Sequence, residues 1–227
     1  DDWRGRVVLD VGCGMGRNSF WPLRYGAKRA LALDVDERSV AAARHTLAAF
    51  PAAEVRQQSI YEFGERDAYD IAFSIGVIHH LQQPERALAA MTRAARPGGR
   101  VLIWVYGCEN NGWIVHFFDP WRRMLFSRLP IGAVHHFSLY PSLLLWCVLR
   151  LGVGGDYLRL LRGFAFRHLR SVVFDQMLPR IAHYWRRDEV ERLMRDAGLE
   201  DVRLTWVNRM SWSALGIKPK AGGQGAP

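Results

Sequence analysis

The residues with the clearest chemical potential form a glycine-rich segment, Val-Leu-Asp-Val-Gly-Cys-Gly-Met-Gly at positions 8–16. An apolar run that ends in Gly-x-Gly-x-Gly is typical of a strand that turns tightly into a helix, because glycine adopts backbone angles that a Cβ would forbid and lets a ligand approach the main chain. Asp34 ends a second apolar run, where its carboxylate can bind both hydroxyls of a ribose. The pattern predicts a nucleoside site at the carboxyl edge of an α/β sheet.

The glycine spacing also restricts the class of nucleoside. A dinucleotide fingerprint has glycine at its sixth position, where this chain has Arg17. The spacing Asp-x-Gly-x-Gly-x-Gly instead resembles motif I of the class I S-adenosylmethionine (SAM)-dependent methyltransferases. Residues 68–81 are similar to that family's fourth strand and the turn after it, and residues 93–103 to its turn into strand five. Within the family, the chain resembles the group that includes quinone C-methylases and many bacterial enzymes of secondary-metabolite biosynthesis.

The elements that must position these motifs follow from the spacing of apolar residues. Strands are predicted at 6–11, 30–34, 53–58, 71–75 and 100–106, and helices at 16–25, 36–50 and 84–96. Asp36 is predicted to cap the second helix and Pro84 to open the third, while Pro22 is predicted to end the first helix early. Strands that alternate with helices predict a parallel sheet with right-handed crossovers.

The end of the chain continues the same pattern. A helix at 188–197 and strands at 202–207 and 212–217 resemble the last helix and the closing antiparallel pair of the family's fold. The resemblance therefore implies an α/β, Rossmann-like fold with a seven-stranded, mostly parallel sheet, which is the class I methyltransferase fold. Residues 1–219 are predicted to form a single methyltransferase domain, and residues 220–227 a disordered tail.

An insertion at residues 107–186 follows the fifth strand. It holds ten Arg against four acidic residues and about half of the aromatic residues of the chain. Helices are predicted at 120–129, 141–151 and 157–170. The last of these would carry Tyr157, Leu160, Leu161 and Phe164 on one face, the pattern of a basic amphipathic helix on an anionic membrane or of a lid packed on the sheet. The position of the insertion, over the carboxyl edge, predicts a helical lid that selects the acceptor.

Composition restricts the setting of the protein. The 227 residues include 31 Lys and Arg against 22 Asp and Glu, which gives a net charge of +9. Such a charge favours binding to nucleic acid, anionic membranes or acidic substrates. The alternative is that it reflects a bias of the coding sequence. Three scattered cysteines predict a reducing compartment, and their spacing predicts no metal site. A cytoplasmic location is therefore predicted. Peripheral membrane contact, which the amphipathic pattern suggests, is one alternative. The longest uninterrupted apolar run, residues 143–149, is too short to span a membrane.

The resemblance implies which residues bind SAM and its product, S-adenosylhomocysteine (SAH). In many relatives an Asp after strand three bonds the adenine amine, whereas this chain has Ser59 in that region. No metal is implied, because the Asp and Asn cluster of catechol-type enzymes is absent from the sequence. The predicted cofactor-binding residues are Asp10, Gly12, Cys13, Gly14, Gly16, Asp34, Val35, Ser59, Ile60, Ser74 and Ile75.

Histidines are the candidates for removing a proton from the acceptor. His80 matches a position where the family often has histidine, and His116 and His183 belong to the predicted lid. For each of them, ordinary structural packing is the alternative. The predicted substrate-binding residues are Tyr106, Asn110, Asn111, Trp113 and Tyr184.

These observations predict a SAM-dependent methyltransferase that acts on a small-molecule or lipid-like, amphipathic acceptor by in-line displacement. Two alternatives stay open. One is an RNA methyltransferase, which only the net charge favours, and the other is a non-catalytic module of the same fold that binds a membrane or a partner. The oligomeric state does not follow from the sequence.

Overall fold

The computed structural model describes residues 2–112, 115–116, 119–152 and 156–220. They form two compact units. The first, the sheet unit, comprises the chain up to Tyr106, residues Trp185–Thr205 and the residues from Trp212 onwards. The second, the helical unit, comprises Gly107–Tyr184 and Trp206–Ser211. The predicted tail beyond residue 220 and the predicted substrate residue Trp113 lie outside the described residues.

A seven-stranded sheet organises the chain, with the strand order β3-β2-β1-β4-β5-β7-β6. Its strands are β1 (Val7–Val11), β2 (Arg29–Asp34), β3 (Ala53–Gln57), β4 (Tyr69–Ile75), β5 (Ala95–Tyr106), β6 (Glu200–Val207) and β7 (Ser211–Ile217). The first five strands in the order pair in parallel. Backbone bonds join residues 98–99 to residue 218 and Gly107 to Met210, so β7 runs antiparallel to β5. The predicted α/β, Rossmann-like, mostly parallel sheet of class I methyltransferase type is confirmed.

The central strands are mostly apolar and buried, as expected for a parallel sheet covered on both faces. Val8 and Leu9 of β1, Leu31 and Leu33 of β2 and Ala72 of β4 are almost completely buried. Four helices accompany the sheet in this unit: α1 (Arg17–Arg24), α2 (Glu37–Thr46), α3 (Pro84–Ala94) and α9 (Arg187–Asp196).

The ends of these helices have local causes. Asp36 caps α2, because its carboxylate accepts a 2.8 Å hydrogen bond from the Ser39 N–H, and Pro84 occupies the first turn of α3, so both predictions are confirmed. The prediction for Pro22 is wrong, because Pro22 lies inside α1, which continues to Arg24.

Two predicted helices are shorter than expected. The second ends at Thr46 rather than at residue 50, and the third ends at Ala94 rather than at residue 96. Pro97 disfavours helical angles in Arg96, the residue before it, which accounts for the third helix, whereas Pro51 is too far from Thr46 to explain the end of the second. The strand predicted from residue 100 accordingly begins at Ala95.

The helical unit contains short helices. They are α4 (Asp119–Met124), α5 (Ile131–Phe137), α6 (Leu139–Arg150), α7 (Asp156–Arg162) and α8 (Phe166–Met177). The single helix predicted at 157–170 is therefore wrong. The chain leaves the helix after Arg162, and Phe164 lies between α7 and α8 with its ring stacked on His168 at 4.4 Å. Gly163, which costs a helix about 1 kcal/mol relative to alanine, is where the helix breaks.

Helices α5 and α6 form one continuous rod, residues 131–151. Ser138, between them, keeps helical angles, and the N–H groups of Ser138 and Ser142 donate to carbonyls four residues earlier at 2.8 and 3.2 Å. Within the described residues, Ile131–Arg150 is 20 residues long and apolar enough to cross a membrane by length and composition. This corrects the expectation drawn from residues 143–149, because neutral Ser, His and Gly interrupt an apolar run without adding a full charge.

Candidate functional site

The glycine loop after β1 is fastened to the end of β2. The N–H groups of Gly12 and Cys13 both donate to the Leu33 carbonyl, at 2.8 and 2.9 Å. The next available donor, the Gly14 N–H, bonds the Asp34 carboxylate at 2.8 Å. The loop therefore has a fixed course across the carboxyl ends of two neighbouring parallel strands. This edge, where β1 lies between β2 and β4, is the position at which open α/β sheets bind ligands.

Two glycines of this loop have different reasons to be glycine. Gly12 has a φ of 74°, and a Cβ there would lie 2.5 Å from a Val77 methyl carbon, so packing excludes any side chain. Gly14 has a φ of 52°, but a Cβ there would meet no heavy atom within 4 Å. The main chain at Gly14 thus borders open space, as a backbone that receives a ligand must.

Asp34 presents a carboxylate held by two backbone donors. Its Oδ2 accepts from the Gly14 N–H at 2.8 Å, and its Oδ1 accepts from the Asp36 N–H at 3.0 Å. Each carboxylate oxygen can accept a further bond, so the group is oriented and still able to receive the two hydroxyls of a ribose. Val35, the next residue, is exposed and offers an apolar surface beside it.

Asp10 lies beneath the loop and is completely buried. Its Oδ2 accepts a 2.6 Å hydrogen bond from the Ser19 hydroxyl, which connects the end of β1 to α1. Burial raises the pKa of the Asp10 carboxyl to about 7, and the Ser19 bond only partly opposes that effect. The sequence analysis did not single out Ser19, although its position three residues after Gly16 places it on the first turn of α1.

Cys13 has a structural position in the loop. The side chain is buried, and its Sγ lies 3.6 Å from the Gly14 carbonyl oxygen. Burial, together with the charges of Asp10 and Asp34, raises the pKa of the Cys13 thiol to about 12. The thiol is therefore protonated at neutral pH and is a poor nucleophile. The contribution of Cys13 to a ligand would come from its backbone.

The ends of β3 and β4 complete the edge. Ser59 caps a short 3-10 helix, Ile60–Glu62, by accepting from the Tyr61 N–H at 3.2 Å, and Ile60 is buried. The Gln58 N–H donates to the Asp34 carbonyl at 2.9 Å, which holds this turn against β2. The buried Ser74 hydroxyl donates to the Val11 carbonyl at 2.8 Å and ties β4 to β1.

All the predicted cofactor residues thus lie in the sheet unit, at or next to the carboxyl ends of β1 to β4. Gly16 occupies the N-cap position of α1, and Ile75 ends β4.

An aromatic cluster lies at the neighbouring ends of β4 and β5. His79 is buried, with its ring centroid 3.8 Å from that of Tyr106 and 4.2 Å from that of His80. Trp104 borders the same rings. His80 itself is half-buried. The sequence analysis missed Trp104, whose spacing of two residues from Tyr106 places both on one face of β5.

The other predicted acceptor residues belong to the helical unit: Asn110, Asn111, His116, His183 and Tyr184. Asn111 is buried, and its Nδ2 donates to the carbonyls of Gly107 and Met210 at 2.7 and 2.8 Å. Asn110 donates to the Arg209 carbonyl at 2.9 Å. Both amides therefore connect the segment after β5 to the turn between β6 and β7, and their role toward an acceptor stays a prediction. Within the part of the chain that the structure describes, no group of three or more His, Cys, Asp or Glu could hold a metal ion.

The sequence of the chain is similar to known methyltransferases. Residues 9–103 match the family model described as a methyltransferase domain. The chain is 38% identical over 103 residues to a tRNA U34 carboxymethyltransferase of Methylococcus capsulatus, covering 44% of this chain and 32% of that protein. It is 32% identical over 114 residues to a ubiquinone biosynthesis O-methyltransferase of Sodalis glossinidius, covering 49% of this chain and 45% of that protein. The chain thus spans less than half the length of these curated relatives.

The solved structures agree on the fold. A Burkholderia thailandensis 1,6-didemethyltoxoflavin-N1-methyltransferase, solved with SAH, aligns over 96% of this chain and 72% of its own, with a TM-score of 0.59 and 16% identity. The sheet and its loop define a nucleoside-binding α/β domain. Residues 9–103 match the methyltransferase-domain family, and the chain has the fold of the class I SAM-dependent methyltransferases. The predicted resemblance is confirmed for that segment and for the fold.

The two glycines give a matched pair of variants. Gly14→Ala is expected to fold, at a cost of about 1–2 kcal/mol for a side chain at positive φ, but to lower the affinity for SAH at least about tenfold because its methyl group enters the ligand's space. Gly12→Ala is expected to lower the melting temperature, and Val77→Ala to restore part of that loss, because it removes the two methyl carbons at 2.5 and 2.6 Å and leaves only the Val77 Cβ at 2.9 Å. Calorimetric titration with SAH and thermal unfolding test both, and a Gly14→Ala variant that binds SAH as the parent does would contradict this assignment.

Asp10 predicts a pH-dependent stability. Between about pH 4 and pH 7 the folded chain keeps the Asp10 proton, which the unfolded chain has lost, so stability falls as the pH rises through this window. The slope that one proton contributes is at most about 1.4 kcal/mol per pH unit. Asp10→Asn should remove this component, as measured by urea unfolding across the window.

Asp36→Asn is the control for that experiment. The Ser39 N–H holds the pKa of the Asp36 carboxyl below its ordinary value, so this group contributes stability that is lost only as the pH falls. The variant should keep the parent's slope between about pH 4 and pH 7. An equal slope for Asp10→Asn and the parent would show that the Asp10 carboxyl is ionised in the folded chain.

Proposed function

We propose that this chain is a SAM-dependent methyltransferase whose acceptor is a small or amphipathic, lipid-like molecule. The observation that carries the proposal is the open space beside the Gly14 main chain, bordered by an Asp34 carboxylate that two backbone N–H groups hold in place. SAM supplies a methyl group on a sulfonium, which is transferred by in-line displacement without a covalent enzyme intermediate.

The residues of the sheet unit have separable roles in this reaction. The loop of Gly12 and Cys13, bonded to the Leu33 carbonyl, fixes the position of the cofactor, and Asp34 orients it through the ribose. The rings of His79, Trp104 and Tyr106 form an aromatic border at the ends of β4 and β5. Such a border excludes water and so limits hydrolysis and solvation of the acceptor's lone pair.

His80 is the residue of this unit best placed to accept a proton from the acceptor. It lies at the carboxyl end of β4, half-buried, on the turn that follows Ser74 and Ile75. An imidazole has an ordinary pKa near neutrality, which suits a general base. His116 and His183, in the helical unit, are the other candidates.

A second candidate acceptor is RNA. Relatives named for tRNA substrates and the net charge of +9 favour it. The family match, however, ends at residue 103, before the helical unit begins, so it covers the part of the chain that binds the cofactor. A ubiquinone biosynthesis O-methyltransferase matches with similar identity, and the large exposed apolar side chains of the helical unit suit an amphipathic acceptor better than a phosphate backbone.

The acceptor class is testable with SAM labelled on its methyl group. After incubation of the protein with cell extract, label is expected in the lipid or small-molecule fraction, and Asp34→Ala is expected to abolish it. Asp36→Ala is the matched control. It removes the neighbouring carboxylate and the cap of α2, at a cost of about 1 kcal/mol, and should keep the transfer.

The other outcomes of that experiment are informative. Label in the RNA fraction would establish the second candidate. SAH binding without transfer to any fraction would contradict the enzyme and favour a non-catalytic binding module.

The proton acceptor is tested by His80→Ala, His116→Ala and His183→Ala. One of them, with His80 expected, should lower turnover by about 10²-fold or more and flatten the acidic limb of the pH–rate profile. His45→Ala, on the exposed face of α2, should change neither. Unchanged turnover in all three would show that no histidine of this set removes the proton.

A further inference from the structure

The α5–α6 rod, residues 131–151, has its apolar face on the outside. Its outer stripe consists of Phe137, Tyr140, Leu144, Cys147 and Leu151, spaced three or four residues apart as one helical face requires. Leu144 is 68% exposed, Leu151 77% and Tyr140 58%. Cys147 is exposed as well. A surface helix of a soluble domain normally presents the opposite pattern.

The inner face of the rod carries small, hydrogen-bonded residues, which fix the orientation of the rod and leave the stripe outside. Ser138 and Ser142 are completely buried there, and their hydroxyls donate to the carbonyls of His135 and Ser138 at 2.7 and 2.5 Å. These small residues face α8, and Leu149 packs with Leu169 in the apolar cluster of the helical unit. Local hydrogen bonds satisfy the buried polar groups, so this orientation of the rod is specific.

The helical unit is rich in arginine. Residues 119–175 contain eight Arg against three acidic residues, Asp119, Asp156 and Asp175, and Asp119 pairs with Arg122 and Arg123. At the end of the rod, the exposed Arg150 lies with its guanidinium over the Trp146 ring at 4.7 Å. An apolar stripe on an arginine-rich unit is the composition of helices that lie in the interface of anionic membranes.

The charge pattern decides between occupants of this face. Two copies of the chain, joined face to face, would oppose arginine to arginine, which is unfavourable. A nucleic acid would engage the arginines and leave the leucine and aromatic stripe in water. Anionic lipid satisfies both, because its acyl chains cover the stripe while its phosphates pair with the arginines.

A contact in the first half of the rod opposes a spanning arrangement. Arg170 of α8 donates from Nη2 to the His135 carbonyl at 2.7 Å, and its Nε lies 3.4 Å from the Ser138 hydroxyl. If residues 131–150 crossed a bilayer, this guanidinium would have to leave its partners or enter the hydrocarbon, both of which are unfavourable.

From these observations we propose that the outer stripe of the α5–α6 rod docks in the headgroup region of an anionic phospholipid bilayer and holds the protein at the membrane surface. Vesicle binding is measured without SAM or an acceptor, so the docking and the proposed activity can be tested separately.

The test uses vesicle flotation of the full chain. Vesicles of phosphatidylcholine and phosphatidylglycerol in equal amounts are expected to carry the protein, and vesicles of phosphatidylcholine alone are not. Added salt should weaken binding, because it screens the arginines from the lipid phosphates. If the protein floats with neither kind of vesicle, the proposal is overturned.

Two matched variants assign the contact to the stripe. Tyr140→Glu is expected to lower the fraction of floated protein at least about tenfold, because it places a negative charge on the docking face. Tyr25→Glu makes the same change at a tyrosine of the sheet unit with the same exposure, 58%, and should float as the parent does. Thermal unfolding confirms that each variant is folded, and Leu144→Glu provides a second variant on the stripe. Equal effects of Tyr140→Glu and Tyr25→Glu would contradict docking by the rod.

The depth of the rod in the bilayer is measured with a label on Cys147, which is exposed. The protein for this measurement carries Cys108→Ser, so the other remaining thiol is that of Cys13, which is buried. A fluorophore on Cys147 should be quenched by lipid labels near the headgroups and little by labels at the bilayer centre. Quenching strongest at the centre would show a spanning helix and overturn interfacial docking. A second outcome would also overturn interfacial docking. If the protein does not float and forms a dimer in solution that Leu144→Glu dissociates, a second copy of the chain covers the stripe.

Discussion

The candidate site depends on the hydrogen bond between the Gly14 N–H and the Asp34 carboxylate. This 2.8 Å bond joins the loop after β1 to the end of β2 and, with the bonds of Gly12 and Cys13 to Leu33, leaves the loop one course. A charge-assisted bond of this kind is stronger than a neutral one and orients its carboxylate. The same carboxylate is the group that would receive a ribose, so one interaction both builds the loop and prepares the ligand site.

The rest of the sheet unit supports that bond. Parallel pairing of β1 with β2 and β4 brings three carboxyl ends together, and buried polar contacts fix them in register. Ser74 ties β4 to the Val11 carbonyl, and Ser19 ties α1 to Asp10. These hydroxyls satisfy buried acceptors, and a buried acceptor without a partner would cost about 1–3 kcal/mol. The site is therefore carried by strand ends and helix starts rather than by a free loop.

The sequence was sufficient for the features that depend on local spacing. The glycine loop, Asp34, the strand alternation and the Asp36 cap follow from residue type and position, and the sheet has the predicted class. Contacts distant in the sequence, such as Val77 against Gly12, carry no local signal. The outer stripe of the rod was missed for a different reason. Ser138 and Ser142 are buried while Tyr140, Leu144 and Leu151 are exposed, and the prediction for residues 143–149 considered only the length of an uninterrupted apolar run.

The most direct test is a crystal structure of the chain with SAH. We expect the ribose hydroxyls on the Asp34 carboxylate, the amino-acid part of SAH along the backbone of Gly12 to Gly14, and the Gly14–Asp34 bond intact. SAH bound elsewhere on the chain, or an Asp34 carboxylate that makes no contact with it, would contradict the central claim.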